Sequence, residues 1–467
     1  MMPLLLALLL VPIAGAVAAT AAKRGANYIS IAASTIVLLL VIAAMHYSAY
    51  GSIIESYSYI ESLGISFSLS LNGISLFLVL LTSIVFFAAA FANLIFVKEE
   101  ARGYNALFMT AETATLGVFL AANFFLLYVF WDVAIILLFF MIFHYGGYDR
   151  RYASIKFLIY SIFSSGLLLI GILLLYIYSP VHSFSISAIE SSAASIPTGI
   201  QTAIFIIMAV AFMIKIPVFP FHSWAPDAYT EAPPTGSAIL AGVISKFGAY
   251  GMLLLFMTLP VAKVYSMYFA ELLVFSIFYA AIVAITQKEI KRMFSYLSIA
   301  EMGFIVFGIA AFNQLGIAGA LYGMLSHGLI IAALMTIAFV IDKSFGTTLI
   351  SRLRGIANVM PGLAYTTLFF IFAAIGIPLT TGFIMDLLIL LGAVKAFSIF
   401  GILPVFAILV NGGYLLWLFE RSFASSHNEP KVIEYPSTML YAALYSIASF
   451  IVMFGILPFL LLRVFAV

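Results

Sequence analysis

Two shortages bound the chemistry of this chain. It contains no cysteine, which excludes disulfides, thiolate zinc sites and Cys-ligated iron–sulfur clusters. Charge is scarce as well: Asp, Glu, Lys and Arg make up 8% of the residues, against about a quarter in soluble domains. A net charge of +2 with no basic run leaves nothing to hold a nucleic acid. There is no P-loop, no nucleophile elbow and no helix with two histidines spaced to ligate a haem. No cofactor is therefore expected in this chain, and it cannot carry electrons unaided. What remains is 65% hydrophobic over 467 residues, with a mean hydropathy of +1.21. That composition belongs to a polytopic helical membrane protein.

Apolar runs of spanning length predict about fourteen helices. They cover 3–22, 27–46, 71–96, 105–122, 123–146, 153–178, 200–220 (broken), 235–258, 264–286, 294–312, 316–341, 362–393 (broken), 400–420 and 437–461. The expected fold class is all-α. The longest links, 47–70, 179–199 and 342–361, are too short for a soluble domain. When the links are numbered alternately, one set holds 15 of the 20 basic residues, among them Lys23, Arg24, Arg150, Arg151, Lys156, Arg292 and Lys343. The other set holds only Lys263, Lys395 and Arg463; Lys215 and Lys246 lie within helices. By the positive-inside rule both termini face outward from the cell membrane. No charge precedes the first apolar run, and Lys23-Arg24 follow it, so it reads as a first span and not a cleaved signal. The expected organisation is three N-terminal helices (1–104), two five-helix repeats (105–258 and 259–422) and a last helix (423–467).

One stretch departs from an ordinary span. From Met213 the chain reads Met-Ile-Lys215-Ile-Pro217-Val-Phe-Pro220-Phe-His222-Ser-Trp224-Ala-Pro226-Asp227-Ala-Tyr229-Thr-Glu231-Ala-Pro233-Pro234, and it continues through Lys246 to Tyr250-Gly251. An ionisable side chain in hydrocarbon is costly and marks a function by default. A broken helix at that depth requires protein or water to satisfy the freed backbone groups. A second interruption follows at Gly376-Ile-Pro378 with Gly382 and Asp386. Paired broken helices point to an inverted-repeat transporter. The charges agree with a repeat, since Asp132 precedes Lys215 by 83 residues and Glu301 precedes Asp386 by 85.

Asp132, Lys215, Lys246, Glu301, His327 and Asp386 all fall within apolar helices and would form a buried polar line. Lysine suits proton work there because desolvation favours its neutral form and a nearby carboxylate its charged form. Moving Asp132 relative to Lys215 would load or unload that lysine, which arginine could not do. His327 would relay between two such pairs. A lone buried Lys–Asp pair suits a structural bridge equally well; six such residues favour transport. Glu112 and Glu271 also fall in spans, as path members or interhelix partners. Pro217, Pro220, His222, Asp227, Glu231, Pro378 and Gly382 are expected to cap and hold the breaks open. His46, His144, His182 and His427 are expected at helix ends or in links, and Trp131, Trp224 and Trp417 as packing or interface residues.

These residues resemble the antiporter-like proton-pumping subunits of respiratory complex I, a family shared with Mrp-type sodium/proton antiporters and energy-converting membrane hydrogenases. The motif from Lys215 to Pro233 carries the resemblance, followed by Lys246-Phe-Gly-Ala-Tyr250-Gly251. Phe130-Trp131-Asp132, Ile290 to Tyr296, Ile299-Ala-Glu301-Met-Gly303, Ser326-His327-Gly328-Leu329 and Gly376 to Asp386 add to it. The resemblance runs from about Ser66 to Leu461. It implies two inverted five-helix repeats, Asp132 paired to Lys215, a central Lys246, a histidine relay at His327 and an exit residue at Asp386. Three positions depart from the family pattern. Asp132 stands where glutamate is usual. Glu301 stands where M-type subunits often have histidine. Asp386 is acidic where several subtypes have lysine, which favours the M-type over the N-type. No lateral helix follows the last span, which argues against the L-type.

The expected function is proton translocation within a redox-driven complex whose partner module oxidises NADH, ferredoxin, a deazaflavin or hydrogen. Expected partners are neighbouring membrane subunits and a connecting subunit, with protons or sodium ions as cargo. Two alternatives are an Mrp-type sodium/proton antiporter subunit without redox chemistry and a non-conducting scaffold.

Overall fold

The computed structural model describes residues 3–22, 24–48, 51–60, 65–98, 100–424 and 430–463. Lys23, Glu61 and His427 lie outside the described residues. The chain opens with α1 (Leu4–Ala21) and α2 (Ala26–Ser48), then strands β1 (Ile53–Ile60) and β2 (Ile65–Leu71). Next come α3 (Gly73–Phe96), α4 (Ala101–Leu120), α5 (Phe124–Tyr145), α6 (Arg150–Tyr178) and the short α7 (Ile186–Ser192). The first interrupted segment is α8 (Thr198–Lys215), α9 (Trp224–Glu231), α10 (Pro234–Ile239), a π turn at Leu240–Ile244, and α11 (Ser245–Thr258). Then follow α12 (Ala262–Ile285), α13 (Ile290–Ala310), α14 (Gln314–Phe345) and the short α15 (Ile356–Val359). The second interrupted segment is α16 (Pro361–Ile375) and α17 (Thr381–Phe397). The chain closes with α18 (Pro404–Phe419), α19 (Thr438–Ile456) and the short α20 (Phe459–Leu462).

Helix starts follow local chemistry. Asn72 caps α3 by accepting from the Ser75 backbone N–H, while Ser75 Oγ accepts from the Asn72 N–H. Asn123 and Asn313 cap α5 and α14. Proline occupies the first turn of α10, α16 and α18, where its missing N–H costs nothing. Glycine in the left-handed conformation ends α14 at Gly346 and α16 at Gly376.

Two differences from the sequence reading stand out. Twelve helices among the described residues are long and apolar enough to cross a membrane. The expected fourteen adds α4 and α18 and takes α16 with α17 as one broken span. α4 is diluted by Arg102, Asn105 and Glu112, and α18 has only 16 residues. The link 47–70 is not plain coil but holds an antiparallel hairpin, with Ile53 opposite Leu71. Its β2 strand alternates serine with Ile65, Phe67, Leu69 and Leu71, the period of a half-buried strand. Glu55 on β1 accepts from the Leu5 and Leu6 N–H groups at 2.9 Å each, and so places a carboxylate at the positive end of α1.

The bundle has a defined centre. The spans Pro234–Thr258 and Gln314–Phe345 are buried along their whole apolar windows, and Ile290–Ala310 nearly so. α1, α2, α6 and α17 form the periphery and are less than half buried. The central helices approach closely because small residues line the contact. A Cβ at Gly328 on α14 would lie 2.6 Å from the Gly242 carbonyl of the π turn.

Candidate functional site

α8 ends at Lys215, directly before the first break. The backbone groups freed there find partners, as membrane depth requires. The Ile214 carbonyl accepts from Trp224 Nε1 at 2.9 Å, and the Phe219 N–H donates to Ser276 Oγ at 2.9 Å. Lys215 is 1% exposed. Its Nζ lies 4.7 Å from the centre of the Phe157 ring and 5.6 Å from that of Trp224, so two aromatic faces stabilise the cation.

The ion pair expected between Lys215 and Asp132 is not closed. Lys215 Nζ donates to Ser161 Oγ at 3.3 Å, and Ser165 Oγ donates to Asp132 Oδ1. Both serines sit on α6, one turn apart, so their hydroxyls face the same way. They hold the lysine and the carboxylate separately, within electrostatic reach of each other.

Lys246 is fully buried near the start of α11. The π turn before it presents the Ala241 carbonyl, which accepts from Ser245 Oγ at 2.7 Å and from Lys246 Nζ at 3.0 Å. Lys246 Nζ also reaches Ser245 Oγ at 3.2 Å and His327 Nδ1 at 2.7 Å. The close approach at Gly242 and Gly328 brings α14 near enough for this last contact. His327 Nε2 is buried with no partner among the described residues.

Glu301 on α13 is 7% exposed and lies within electrostatic reach of both Lys246 and Asp386. Asp386 is half-buried. Its carboxylate fills the notch of the second break, because a Cβ at Gly376 would overlap Asp386 Oδ2. Gly376 also has φ +78°, a conformation that glycine adopts readily. A side chain at Gly382 would overlap the Ala373 carbonyl, so the start of α17 packs tightly against the end of α16 across Pro378. The two breaks differ in layout: Lys215 closes the limb before the first, and Asp386 sits on the limb after the second.

The residues expected to support the first break cluster at one end of the bundle. Asp227 binds Lys156 at 2.8 Å and Arg292 at 3.2 Å, joining α9 to α6 and α13. Glu231 accepts from the Asp149 N–H at 2.9 Å, and burial raises its carboxyl above the ordinary value. His222 packs among Phe219, Tyr279 and Tyr296. Pro217 and Pro220 lie in the turn between α8 and α9. Glu112 is buried against α2, where Ser34 Oγ donates to it at 2.8 Å; Glu271 is exposed. His46, His144 and His182 are exposed near helix ends or in a link. Trp131 is buried against Phe212 and Phe247, and Trp417 is exposed. Among the described residues no cluster of three His, Asp or Glu side chains is set to hold a metal ion.

Sequence reading passed over several polar groups on this line. Ser161 and Ser165 were legible as two serines at helical spacing on an apolar span. Asn411 and Tyr414 on α18 are buried, with Asn411 Oδ1 and the Tyr414 hydroxyl unpartnered among the described residues. Tyr414 lies within electrostatic reach of Glu301. The assembled side chains can pass protons between hydroxyls, amines, imidazole and carboxylates.

Residues 121–410 match the family described as NADH:quinone oxidoreductase/Mrp antiporter, TM. The chain is 36% identical over 417 residues to NADH-quinone oxidoreductase subunit M of Rickettsia bellii, covering 88% of this chain and 84% of that one. It is 35% identical over 389 residues to F(420)H(2) dehydrogenase subunit M of Methanosarcina mazei, covering 80% and 77%. Its fold matches a chain of respiratory complex I from Thermus thermophilus with a TM-score of 0.91 at 23% identity, over 99% of this chain and 97% of that one. The chain is an integral membrane protein and belongs to the NADH:quinone oxidoreductase/Mrp antiporter transmembrane family.

Proposed function

We propose that this chain is the proton-translocating, antiporter-like subunit of a redox-driven respiratory complex in the cell membrane, with both termini outside. The observation that carries this reading is a line of ionisable residues within the apolar helices: Lys246, His327 and Glu301 on the most buried ones, with Lys215, Asp132 and Asp386 on helices farther out. Six such groups at membrane depth serve a pathway better than they serve stability. The relatives support the redox setting, since one is named NADH-quinone oxidoreductase subunit M and the other F(420)H(2) dehydrogenase subunit M. They also favour the M-type. Asp132 and Asp386 are the least buried members of the line, and a carboxylate left open at that depth needs a neighbour to cover it. Adjacent membrane subunits fit that need. The domain division into two inverted five-helix repeats fits the two breaks.

The test is proton uptake by inverted membrane vesicles driven in turn by NADH, reduced ferredoxin, reduced deazaflavin and hydrogen. Lys215→Met and Lys246→Met should each abolish uptake while the complex stays assembled. Wild-type uptake in both variants would overturn the reading. Sodium-dependent proton exchange in vesicles given no electron donor would favour the Mrp-type alternative, which the shared family keeps in play.

A further inference from the structure

The line of ionisable residues has a gap. Lys215 bonds to Ser161 and Lys246 bonds to Ala241, Ser245 and His327, and no hydrogen bond joins the two lysines among the described residues. The short helix α9 carries Tyr229, which is fully buried. The Tyr229 ring meets Trp224 edge-on, with centroids 5.9 Å apart. Trp224 is the same indole that lies over Lys215 Nζ. On its other side the Tyr229 hydroxyl lies beside Ser245, and it has no partner within hydrogen-bond geometry among the described residues. Ser245 Oγ in turn is 3.2 Å from Lys246 Nζ.

A buried hydroxyl without a partner lowers stability, and phenylalanine would pack the same ring without that cost. The hydroxyl therefore calls for another explanation. Two features supply one: its ring adjoins the indole that lies over Lys215, and its hydroxyl lies beside a serine already bonded to Lys246.

We propose that Tyr229 and Ser245 form the hydroxyl bridge that carries the proton from Lys215 to Lys246. This rests on the proton-translocating reading above and adds the residues that close its central gap. In the transfer, the Lys215 ammonium releases a proton through one water to the Tyr229 oxygen. Tyr229 passes its own hydroxyl proton to Ser245 Oγ. Ser245 turns its hydroxyl from the Ala241 carbonyl to the neutral Lys246 amine and hands over its proton. Each hydroxyl ends with one proton, Lys215 is neutral and Lys246 charged, so the step moves one proton with no other chemistry. Ser245 is placed for this because its lone pairs face Lys246 while its proton rests on a carbonyl that an α-helical turn would have engaged.

The experiment compares wild type, Tyr229→Phe, Ser245→Ala and Lys246→Met as intact complexes in inverted vesicles. They are driven by whichever of NADH, reduced ferredoxin, reduced deazaflavin or hydrogen supports wild-type uptake. Complex content is checked on native gels, and uptake is measured in H2O and D2O. Tyr229→Phe should lower the uptake rate at least tenfold at wild-type complex content and raise the solvent isotope effect, because transfer across the gap becomes limiting. Ser245→Ala should do the same, and it keeps the proposal testable if Tyr229→Phe fails to assemble. Tyr229→His, which restores a group able to accept and release a proton, should recover part of the rate; a ring needed only for packing would not. Wild-type uptake in Tyr229→Phe or Ser245→Ala, with Lys246→Met inactive, overturns the bridge and leaves the proton-translocating reading standing. Wild-type uptake in Lys246→Met overturns that reading and the bridge with it.

Discussion

Lys246 Nζ and His327 Nδ1 meet at 2.7 Å across 81 residues of chain. Both groups are buried, so the contact is a committed one. When the lysine is charged, Nδ1 accepts and the ring proton sits on Nε2, which has no partner among the described residues. The imidazole can then take a proton at one nitrogen and release another from the second. His327→Gln keeps an acceptor near Lys246 but cannot do this. Uptake by vesicles should fall at least tenfold, with complex content unchanged on native gels. A wild-type rate would show that the histidine only holds the lysine in place.

The serine spacer on α6 makes a separate prediction. With Ser165→Ala, Asp132 loses the Ser165 donor and is held less firmly away from Lys215. A direct pair favours the charged lysine, so the lysine should unload more slowly. Uptake should fall several-fold, and adding Asp132→Asn to Ser165→Ala should change the rate much less than Asp132→Asn does alone. A double-mutant cycle on the uptake rate reads this coupling. Additive losses would mean that the serine and the carboxylate act independently.

The second break gives a stability prediction. Gly376→Ala places an L side chain in left-handed backbone, at about 1–2 kcal/mol, and drives its Cβ into Asp386 Oδ2. The melting temperature in detergent should drop. Asp386 should also be displaced from the notch, so uptake per assembled complex should fall. Gly362→Ala, whose Cβ would meet the Tyr441 hydroxyl at 3.3 Å and its ring carbons from 3.5 Å, is the control expected to leave both unchanged.

The link before α19 carries a pH signature. Lys343 Nζ lies 2.9 Å from Glu434, and its hydrogen bond holds the Glu434 carboxyl below the ordinary value. A group whose folded-state value is lowered stabilises the fold above its unfolded value and loses that contribution as pH falls through the lowered one. The pair is exposed, so its contribution is small and sensitive to salt. Melting curves of wild type and Glu434→Gln should differ slightly at neutral pH in low salt and converge as the pH drops through the carboxylate range. A gap that persists in acid would point to lost packing in place of lost charge.

Much of the fold was legible because its signals are local. Apolar length, the lopsided distribution of lysine and arginine, and prolines inside spans need no knowledge of neighbours. The apolar run at 105–122 anticipated α4 although its Asn105 and Glu112 dilute it; both are buried inside the bundle. The hairpin was legible only as a serine alternation inside a link otherwise read as polar. The ionisable line could be named from sequence, since charges in apolar helices are conspicuous. Its hydroxyls did not stand out in the same way: Ser161 and Ser165 are visible as a helically spaced pair, but they, Tyr229 and Tyr414 are ordinary residues in membrane helices. Only the third dimension tells a hydroxyl bonded to its own backbone, such as Ser154 Oγ on the Arg151 carbonyl, from one that faces Lys215.

The π turn at Leu240–Ile244 leaves a vacancy in the main-chain ladder. It holds one more residue than a straight helix of the same rise, so deleting Val243 would let the turn close into α-helix while α11 keeps roughly its bearing. The straightened helix would bond its own backbone more fully and still be apolar enough to span. The Ala241 carbonyl, which accepts from Lys246 Nζ and Ser245 Oγ, would be taken up by a backbone N–H. The surplus residue thus keeps one acceptor in reserve: the chain gives up regularity in one turn so that a buried ammonium has a carbonyl to rest on.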